Sequence, residues 1–321
     1  MFVDHLIEKI KKMDNPTVMG LDPKLEYIPK SVKTSVFNEY GQGIIAVSKA
    51  LLLFNMRLID AVCDIIPCIK PQAAYYEMYG IHGMSVLAET IKYAKEKEML
   101  VILDGKRNDI GSTAESYAAA YLGETDLNGG MSMSAFPADA LTVNAYLGED
   151  GVRPFIQMCN SKDKGIFVLV KTSNPSSSQI QDMELKNGKK IYEVMAEYVD
   201  SWGKGKIGKS GYSNVGAVVG ATHPAQAEEI RKILKSAYIL VPGYGAQGGS
   251  ADDAVKSFNQ DGTGAIVNAS RSLMCAYKSD RWKNTYSSEN FDEATRAEAL
   301  KMKEEINRAL EKHCKRGASN D

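Results

Sequence analysis

The chain lacks the long apolar runs that are typical of membrane-spanning helices and signal peptides. Its apolar runs fall well short of the roughly 20 residues that cross a bilayer as a helix. The helix-like stretch at residues 2–13 contains Asp4, Glu8 and several lysines, so it lacks the uninterrupted apolar centre of a signal peptide. We therefore expect no membrane association and no export.

Cysteine is scarce and scattered. The five cysteines include no C-x-x-C pair and stand at Cys63, Cys68, Cys159, Cys275 and Cys314. An odd, dispersed set does not suit a disulfide framework and fits a reducing compartment better. We therefore predict a cytoplasmic protein whose cysteines are ordinary thiols.

Histidine is also rare. The four histidines lie far apart, at His5, His82, His223 and His313. They show neither H-x-H nor H-E-x-x-H spacing, which would place two imidazoles on one metal ion. Only His223 follows a predicted strand, and an ordinary surface or core role is favoured for all four. We predict that the protein uses no metal and no cofactor.

A charge excess of either sign is missing as well. Thirty-nine basic and forty acidic side chains leave a formal charge of -1. No overall field therefore points toward nucleic acid or an anionic membrane, and we expect neither as a partner. An anionic substrate would have to be held by local groups. Hydrophobic residues at 44% and charged residues at 25% are typical of a globular protein with a sizeable core.

What the chain does contain is a regular alternation of short apolar runs and helix-like stretches. The predicted strands are residues 17–22, 65–70, 100–104, 141–144, 166–171, 215–220, 238–242 and 265–268. The predicted helices are residues 37–64, 81–97, 113–122, 151–158, 189–202, 224–234, 251–258 and 292–312. Eight such units favour a (β/α)8 TIM barrel that occupies residues 1–321 as a single domain, with an open doubly wound sheet as the alternative. Residues 124–139 and 201–213 are predicted to be surface insertions.

Polar side chains stand where most of these strands end. Asp22, Lys70, Asp104, Asn144 and Ser173 follow or close five of them. Catalytic groups of barrels sit at the carboxyl ends of the strands, so these residues are candidates for a site. Solvated strand ends are often polar in any case, and no single one of them decides the matter.

The densest cluster is the segment DGKRNDIGST at residues 104–113. Asp104 and Lys106 are two positions apart, so an extended backbone would aim both side chains at the barrel mouth. Asp109 follows in the loop. A lysine between carboxylates favours its protonated form, which suits a proton donor better than a nucleophile. A surface ion-pair cluster is the structural alternative.

A second concentration of unusual residues is the loop PGYGAQGG at residues 242–249. Its glycines permit positive φ and close approach of the backbone to a ligand, although a tight turn would also use them. Arg271 follows the eighth predicted strand, and its guanidinium fork matches a phosphate group. The loops after strands seven and eight form the usual phosphate site of barrels.

With these segments in view, the sequence resembles the orotidine 5'-phosphate decarboxylase family, particularly its longer bacterial members. The resemblance covers nearly the whole chain and centres on residues 104–113 together with Lys70 in the segment CIKP. It implies an alternating catalytic array of Lys70, Asp104, Lys106 and Asp109. It also implies a homodimer in which Asp109, Ile110 and Thr113 enter the site of the neighbouring subunit.

The resemblance assigns roles to further residues. It implies that Asp22 binds the ribose hydroxyls and that Ser173 contacts the edge of the pyrimidine. Gln247 and Arg271 would grip the phosphate. Two further substrate contacts complete the implied set: Pro242, which would pack near the base, and Asn144, for which a buried, satisfied asparagine is an equal alternative.

The chain departs from the family pattern at two places. Ala269 and Ser270 precede Arg271 where relatives often carry glycine, which puts the geometry of that loop in question. Gln72 stands where some relatives have a shorter Asn, and we leave it out of the predicted site.

The implied reaction is decarboxylation of orotidylate to uridylate, with Lys106 protonating C6 beside Asp104. Two other functions stay open at this point. One is a magnesium-dependent sugar-phosphate lyase of the same barrel superfamily, against which Lys70 argues because it would repel the cation. The other is a nucleotide-binding barrel without catalysis, in which the ion array only stabilises a dimer.

Overall fold

Eight parallel strands close into a barrel in the computed structural model, which describes residues 1–318. Each strand pairs with its neighbours in the chain, and the first pairs with the last. The barrel strands are β1 (Thr17–Leu21), β2 (Cys68–Pro71), β3 (Leu100–Arg107), β4 (Ala140–Val143), β5 (Gly165–Lys171), β6 (Ser213–Val219), β7 (Ala237–Val241) and β8 (Ala265–Ala269). This topology confirms the predicted (β/α)8 barrel and excludes the open sheet.

Helices occupy every connection between successive barrel strands. They are α1 (Phe2–Met13), α2 (Lys30–Tyr40), α3 (Ile44–Val62), α4 (Ala74–Glu77), α5 (Gly80–Glu96), α6 (Gly111–Leu122), α7 (Arg153–Lys162), α8 (Ser178–Gln181), α9 (Ile191–Gly203), α10 (Pro224–Ile233), α11 (Ala251–Ala254), α12 (Arg271–Met274) and α13 (Phe291–Ala318). Each of the eight predicted helices overlaps an observed one. Within residues 1–318, every helix is too short or too polar to cross a membrane.

The long helix predicted at residues 37–64 is wrong in one respect, because it is two helices. The chain turns between α2 and α3 at Gly41 and Gly43, whose φ angles are 75° and 146°. Side chains other than hydrogen rarely tolerate such angles, so the glycines end α2 and let α3 start in a new direction. The apolar periodicity continues on both sides of the break, which is why it suggested a single helix.

The two predicted insertions are narrower than expected. Residues 124–134 are exposed and contain a small hairpin of strands Thr125–Asp126 and Ser132–Met133. Asp139, however, is buried, and it accepts hydrogen bonds from the Val101 amide at 2.9 Å and from Lys95 Nζ at 2.5 Å. In the second segment, Tyr212 and Ser213 are buried, and β6 already begins at Ser213. The prediction that these stretches are surface throughout is therefore wrong at their carboxyl ends.

The core has two parts, one inside the barrel and one between the barrel and its helices. The interior part includes α1, which closes the amino end of the barrel. Phe2 packs edge-to-face on Phe167 of β5 with ring centroids 6.3 Å apart, and Leu6 is fully buried. Asp4 fastens this helix by accepting hydrogen bonds from the amide and the hydroxyl of Ser210. Because apolar side chains fill the amino end, a ligand can enter only from the carboxyl end of the strands.

Truncating the helix that closes the barrel should destabilise the protein without touching the carboxyl end. We expect Leu6→Ala to lower the free energy of unfolding by about 3 kcal/mol, because it removes buried methyl groups and leaves a cavity. Urea denaturation measures the change, and Lys12→Ala on the exposed side of the same helix is the control. Equal stability of the two variants would show that α1 does not contribute to the core.

Candidate active site

A cavity of about 540 Å³ opens at the carboxyl ends of the barrel strands. Leu169, Val218 and Leu240, which point into the barrel, form its floor. Seven of the residues selected from the sequence line it: Asp22, Lys70, Asp104, Lys106, Ser173, Pro242 and Gln247. The polar side chains that end separate strands therefore meet at one place, because the strands are parallel and their carboxyl ends share one rim.

Asp104 is the centre of a compact ion cluster. Lys70 Nζ lies 2.8 Å from its Oδ2 and Lys106 Nζ lies 2.6 Å from its Oδ1. Two neutral donors complete the set, since Gln72 Nε2 donates to Oδ2 at 3.1 Å and Thr142 Oγ1 donates to Oδ1 at 2.8 Å. The carboxylate is thus saturated with donors, two of which carry positive charge.

These contacts determine the charge state of the buried members. Burial alone would raise the pKa of Asp104, but the attraction of Lys70 and Lys106 outweighs it and holds that pKa well below its usual range. Burial by itself would lower the pKa of Lys70. The negative charges of Asp104 and Asp22 outweigh this effect, so the pKa of Lys70 is raised. At neutral pH the cluster is an ionised carboxylate beside a buried ammonium.

Lys106 reaches Asp104 through an irregular backbone, not through the regular extended strand that we predicted. Leu103 pairs with Leu141 and Arg107 pairs with Val143. Between these two pairs β3 has three residues and β4 has one, so β3 contains a bulge. Lys106 itself has a φ of 47°, in the left-handed region. Such a conformation costs on the order of 1 kcal/mol for a residue with a side chain, and strain of this kind concentrates at functional sites.

Thr142 stabilises that bulge from the neighbouring strand. Its hydroxyl accepts a hydrogen bond from the Lys106 amide at 3.0 Å and donates to Asp104 Oδ1. One side chain of β4 therefore fixes both the backbone of Lys106 and the carboxylate. Sequence reasoning missed Thr142 because it considered only the last residue of each strand. The alternation along β4, which puts Thr142 on the same face as Asn144, could have indicated it.

Gln72 also belongs to the cavity, although we left it out of the predicted site. It lines the wall and donates to Asp104, and it forms a backbone bridge to the same residue. Its longer side chain reaches the carboxylate from the turn that follows β2.

Arg271 lines a second, smaller cavity of about 280 Å³ that adjoins the first. The two cavities share Asp22, Gln247, Asn268 and Ser270, so they form the two ends of one groove. The first end holds the ion cluster, and the second holds the guanidinium. A groove of this design suits a ligand that has an anionic group at one end and a reacting centre at the other.

The glycine-rich loop at residues 242–249 covers the second end of the groove. Gly243, Gly245 and Gly248 have φ angles of 96°, 72° and 98°, which strongly favour glycine at these positions. The Gly249 amide donates to the Gly243 carbonyl, and the Gly245 amide donates to the Gly249 carbonyl. The loop is therefore a tight turn closed into a ring by backbone hydrogen bonds, and close approach of its backbone to a ligand stays a prediction.

Asp22 and Asn268 line the part of the groove that the two cavities share. Oδ1 of each is buried and has no hydrogen-bond partner in the described part of the chain. A buried acceptor that stays unpaired costs about 1–3 kcal/mol, so a donor that reached either oxygen would be stabilising. Asn268 was not selected from the sequence, because the polar run after β8 drew attention to Arg271 alone.

Four selected residues do not line the cavity of a single chain. They are Asp109, Ile110, Thr113 and Asn144, which belong to the segments after β3 and β4. Ile110 is 55% exposed, which is unusual for an aliphatic side chain of this size. Asn144 is exposed and accepts a hydrogen bond from the Tyr146 amide, so it is not the buried, satisfied asparagine that was the alternative.

A short helix forms the remaining wall. Residues of α8 line the cavity, and Gln181 holds them in place by bonding to both the amide and the hydroxyl of Thr172. Lys171, which is fully buried, pairs with Asp182 at the end of this helix at 2.7 Å. Among residues 1–318, no group of three acidic, histidine or cysteine side chains is arranged to hold a metal ion.

Comparison with known proteins places this arrangement in a family. The sequence model of the "Orotidine 5'-phosphate decarboxylase / HUMPS family" matches residues 48–281. The orotidine 5'-phosphate decarboxylase of Rhodopirellula baltica is 43% identical over 305 residues, which are 95% of this chain and 98% of the relative. That of Caldicellulosiruptor bescii is 44% identical over 309 residues, which are 96% and 99% of the two chains.

Solved structures agree with the sequence comparison. The OMP decarboxylase of Leishmania donovani is similar with a TM-score of 0.71 and 28% identity, over 96% of this chain and 98% of that one. The UMP synthase of the same organism gives a TM-score of 0.74 and 30% identity, over 96% of this chain and 56% of that longer one. The resemblance found in residues 104–113 therefore extends through the whole barrel, and the chain belongs to the orotidine 5'-phosphate decarboxylase / HUMPS family.

Proposed function

We propose that this chain is an orotidine 5'-phosphate decarboxylase, which converts orotidine 5'-phosphate to uridine 5'-phosphate and carbon dioxide in the last step of de novo UMP biosynthesis. The observation that carries the proposal is the Lys70–Asp104–Lys106 cluster at one end of a groove whose other end holds Arg271. The relatives named above as orotidine 5'-phosphate decarboxylases support it over nearly the full chain.

Binding begins at the phosphate end in this proposal. Arg271 and Gln247 would take the phosphate, with Arg271 supplying a planar fork of donors. Asp22, which lines the groove between its two ends, would bind a ribose hydroxyl. Ser173 and Pro242 would then contact the base. Binding energy gained at the phosphate holds the reacting carbon beside the ion cluster, where it serves the chemical step.

The chemical step uses the charges around Asp104. The substrate carboxylate at C6 would lie beside the Asp104 carboxylate, and the two repel each other. The bond from C6 to the carboxyl carbon breaks, its electron pair stays on C6, and carbon dioxide leaves. The ammonium of Lys106 attracts the developing carbanion and then donates its proton to C6. Lys106 is left neutral and recovers a proton from solvent, so the cycle balances without a co-reactant.

We further propose that the active protein is a homodimer. Asp109, Ile110 and Thr113 would enter the site of the partner subunit, where Asp109 completes the charge array with Lys70. The exposure of Ile110, and of Tyr146 and Leu147 in the next strand-end segment, supports an apolar contact in this region. Asn144 would lie at the edge of the same contact and near the substrate.

Two coarser assignments accompany this function. We propose that residues 1–321 act as one barrel domain, since α1 packs on the interior of the barrel and α13 packs on the core between the same barrel and its helices. We also propose a cytoplasmic location, which fits the five scattered cysteines, all of them free thiols. Both stay predictions.

Removing the proton donor should abolish turnover while sparing binding. We expect Lys106→Ala to lower kcat by roughly 1,000-fold or more, because it deletes both the general acid and the ammonium that stabilises the carbanion. Loss of orotidylate absorbance measures the rate, and titration with uridylate measures affinity, which should change by less than about tenfold. Lys92→Ala on the exposed face of α5 is the control. A wild-type protein that never consumes orotidylate would exclude the proposed decarboxylase.

Chelation separates the proposed reaction from that of a magnesium-dependent sugar-phosphate lyase. Both oxygens of Asp104 already accept hydrogen bonds from ammonium groups, which leaves this carboxylate poorly placed to bind a cation. We expect the rate of orotidylate consumption to be the same before and after treatment with excess EDTA. A rate that falls in EDTA and returns with magnesium would contradict the metal-free reaction.

Mixing two inactive variants tests the shared site. Lys106→Ala disables a group that a subunit uses in its own cavity, whereas Asp109→Asn disables one that it lends to the partner. Exchange of subunits should restore about a quarter of the wild-type activity, because about half of the dimers are hybrids with one intact site of two. Mixing Lys106→Ala with Asp104→Asn is the control and should restore none, since both groups act in the same chain. Recovery that does not exceed this control would exclude the lent aspartate.

A further inference from the structure

The glycine-rich loop of the groove is tied to the last helix of the chain. Tyr244 Oη donates a hydrogen bond to Glu305 Oε2 on α13 at 2.6 Å. Tyr244 lines the cavity that contains Arg271, and on its other side it lines a rear cavity of about 400 Å³ between the loop and α13. The tyrosine ring therefore stands between the phosphate end of the groove and the outer helix.

This bond has no substitute within the loop. The ring of backbone bonds between Gly243 and Gly249 fixes the shape of residues 243–249 but does not attach them to the outer helices. Four of these seven residues are glycines, and Ala246 has no polar side chain. Among the side-chain hydrogen bonds of residues 1–318, the Tyr244–Glu305 bond is the one that joins this ring to another element. Tyr244 also packs against the core, so the bond fixes the hydroxyl end of a side chain that is already partly buried.

Glu305 is in turn held rigidly. Lys301 Nζ donates to Glu305 Oε2 at 3.0 Å and also lies 3.5 Å from Glu298. Trp282 Nε1 donates to the other oxygen of Glu298 at 2.7 Å. Burial tends to raise the pKa of Glu305, but Tyr244 and Lys301 outweigh it and leave that pKa lowered. Burial raises the pKa of Tyr244. The bond is therefore one between a neutral phenol and a charged carboxylate, which is a strong class of hydrogen bond.

We propose that Tyr244 and Glu305 are positioning residues that hold the phosphate loop in its binding orientation, so that α13 forms part of the phosphate site. The inference rests on the proposed function, since it concerns the phosphate of the same substrate. A loop that is already oriented loses less conformational freedom when the phosphate binds, and this raises affinity for phosphorylated ligands only. Tyr244 lies within residues 48–281, the span matched by the family model, whereas Glu305 and the rest of α13 lie beyond it.

Tyr244→Phe and Glu305→Gln, alone and together, test the pair. Tyr244→Phe should lower kcat/KM for orotidylate by roughly 10-fold, mainly through KM, as expected for the loss of one charge-assisted hydrogen bond, and Glu305→Gln, which keeps an oxygen acceptor but loses the charge, should lower it less. The double variant should lose no more than Tyr244→Phe alone, because that substitution already removes the bond. Activity on orotidine, which lacks the phosphate, should change by less than about twofold. Glu311→Gln, on an exposed part of α13, is the matched control.

Two results would overturn the inference. Equal losses of activity on orotidylate and on orotidine would mean that the pair only stabilises the barrel. In that case each variant should also unfold at a lower temperature than the wild type. Unchanged kinetics with orotidylate would mean that the loop needs no anchor. If wild-type protein fails to consume orotidylate, the proposed function fails. The positioning role of Tyr244 and Glu305 is then tested by binding. It is supported only if the variants weaken the binding of uridylate more than the binding of uridine.

Discussion

The ion cluster at Asp104 is the interaction on which the site depends. A buried carboxylate is costly unless it is paired and hydrogen-bonded, and here it has two ammonium partners and two neutral donors. The donors come from β2, the turn after it, β3 and β4, so three adjacent strands must be in register before Asp104 is satisfied. Stability and catalytic geometry therefore share one requirement. Loss of Lys70 or Lys106 would leave charge uncompensated at the place where, in the proposed reaction, the substrate carboxylate would lie.

The barrel provides this arrangement by separating its two ends. The amino end is filled by apolar side chains and by α1, whereas the carboxyl end carries the polar residues that follow each strand. Burial of apolar side chains inside the barrel and between the barrel and its helices stabilises the fold, and this allows the carboxyl end to hold like and unlike charges in close contact. The groove runs from the cluster to Arg271 across the mouth, and residues from almost every strand line it. In the proposed function, different loops would hold the anionic end and the reacting end of the ligand.

The fold could be predicted from the sequence, because eight apolar runs of strand length alternate with stretches whose apolar residues recur at helical spacing. Sequence reasoning was also sufficient to bring Lys70 and Asp104 together, since parallel strands present their carboxyl ends at one rim. It could not anticipate the left-handed Lys106, because a bulge depends on pairing between β3 and β4 and not on local propensity. Gln72 was considered and left out, and Thr142 was missed although the alternation along β4 could have indicated it. Their contacts with Asp104 depend on side-chain length and strand stagger, which the folded barrel defines.

Closure of the barrel between its first and last strands has a consequence for synthesis of the chain. Thr17 pairs with Val267, so β1 keeps an unpaired edge until some 250 later residues have left the ribosome. At 5–20 residues per second that interval lasts roughly 10–50 s. During it the nascent chain exposes an apolar strand with free backbone groups, a state prone to pairing with other chains. Production of this protein should accordingly be more sensitive to chaperone supply and translation speed than its finished, edgeless barrel would suggest.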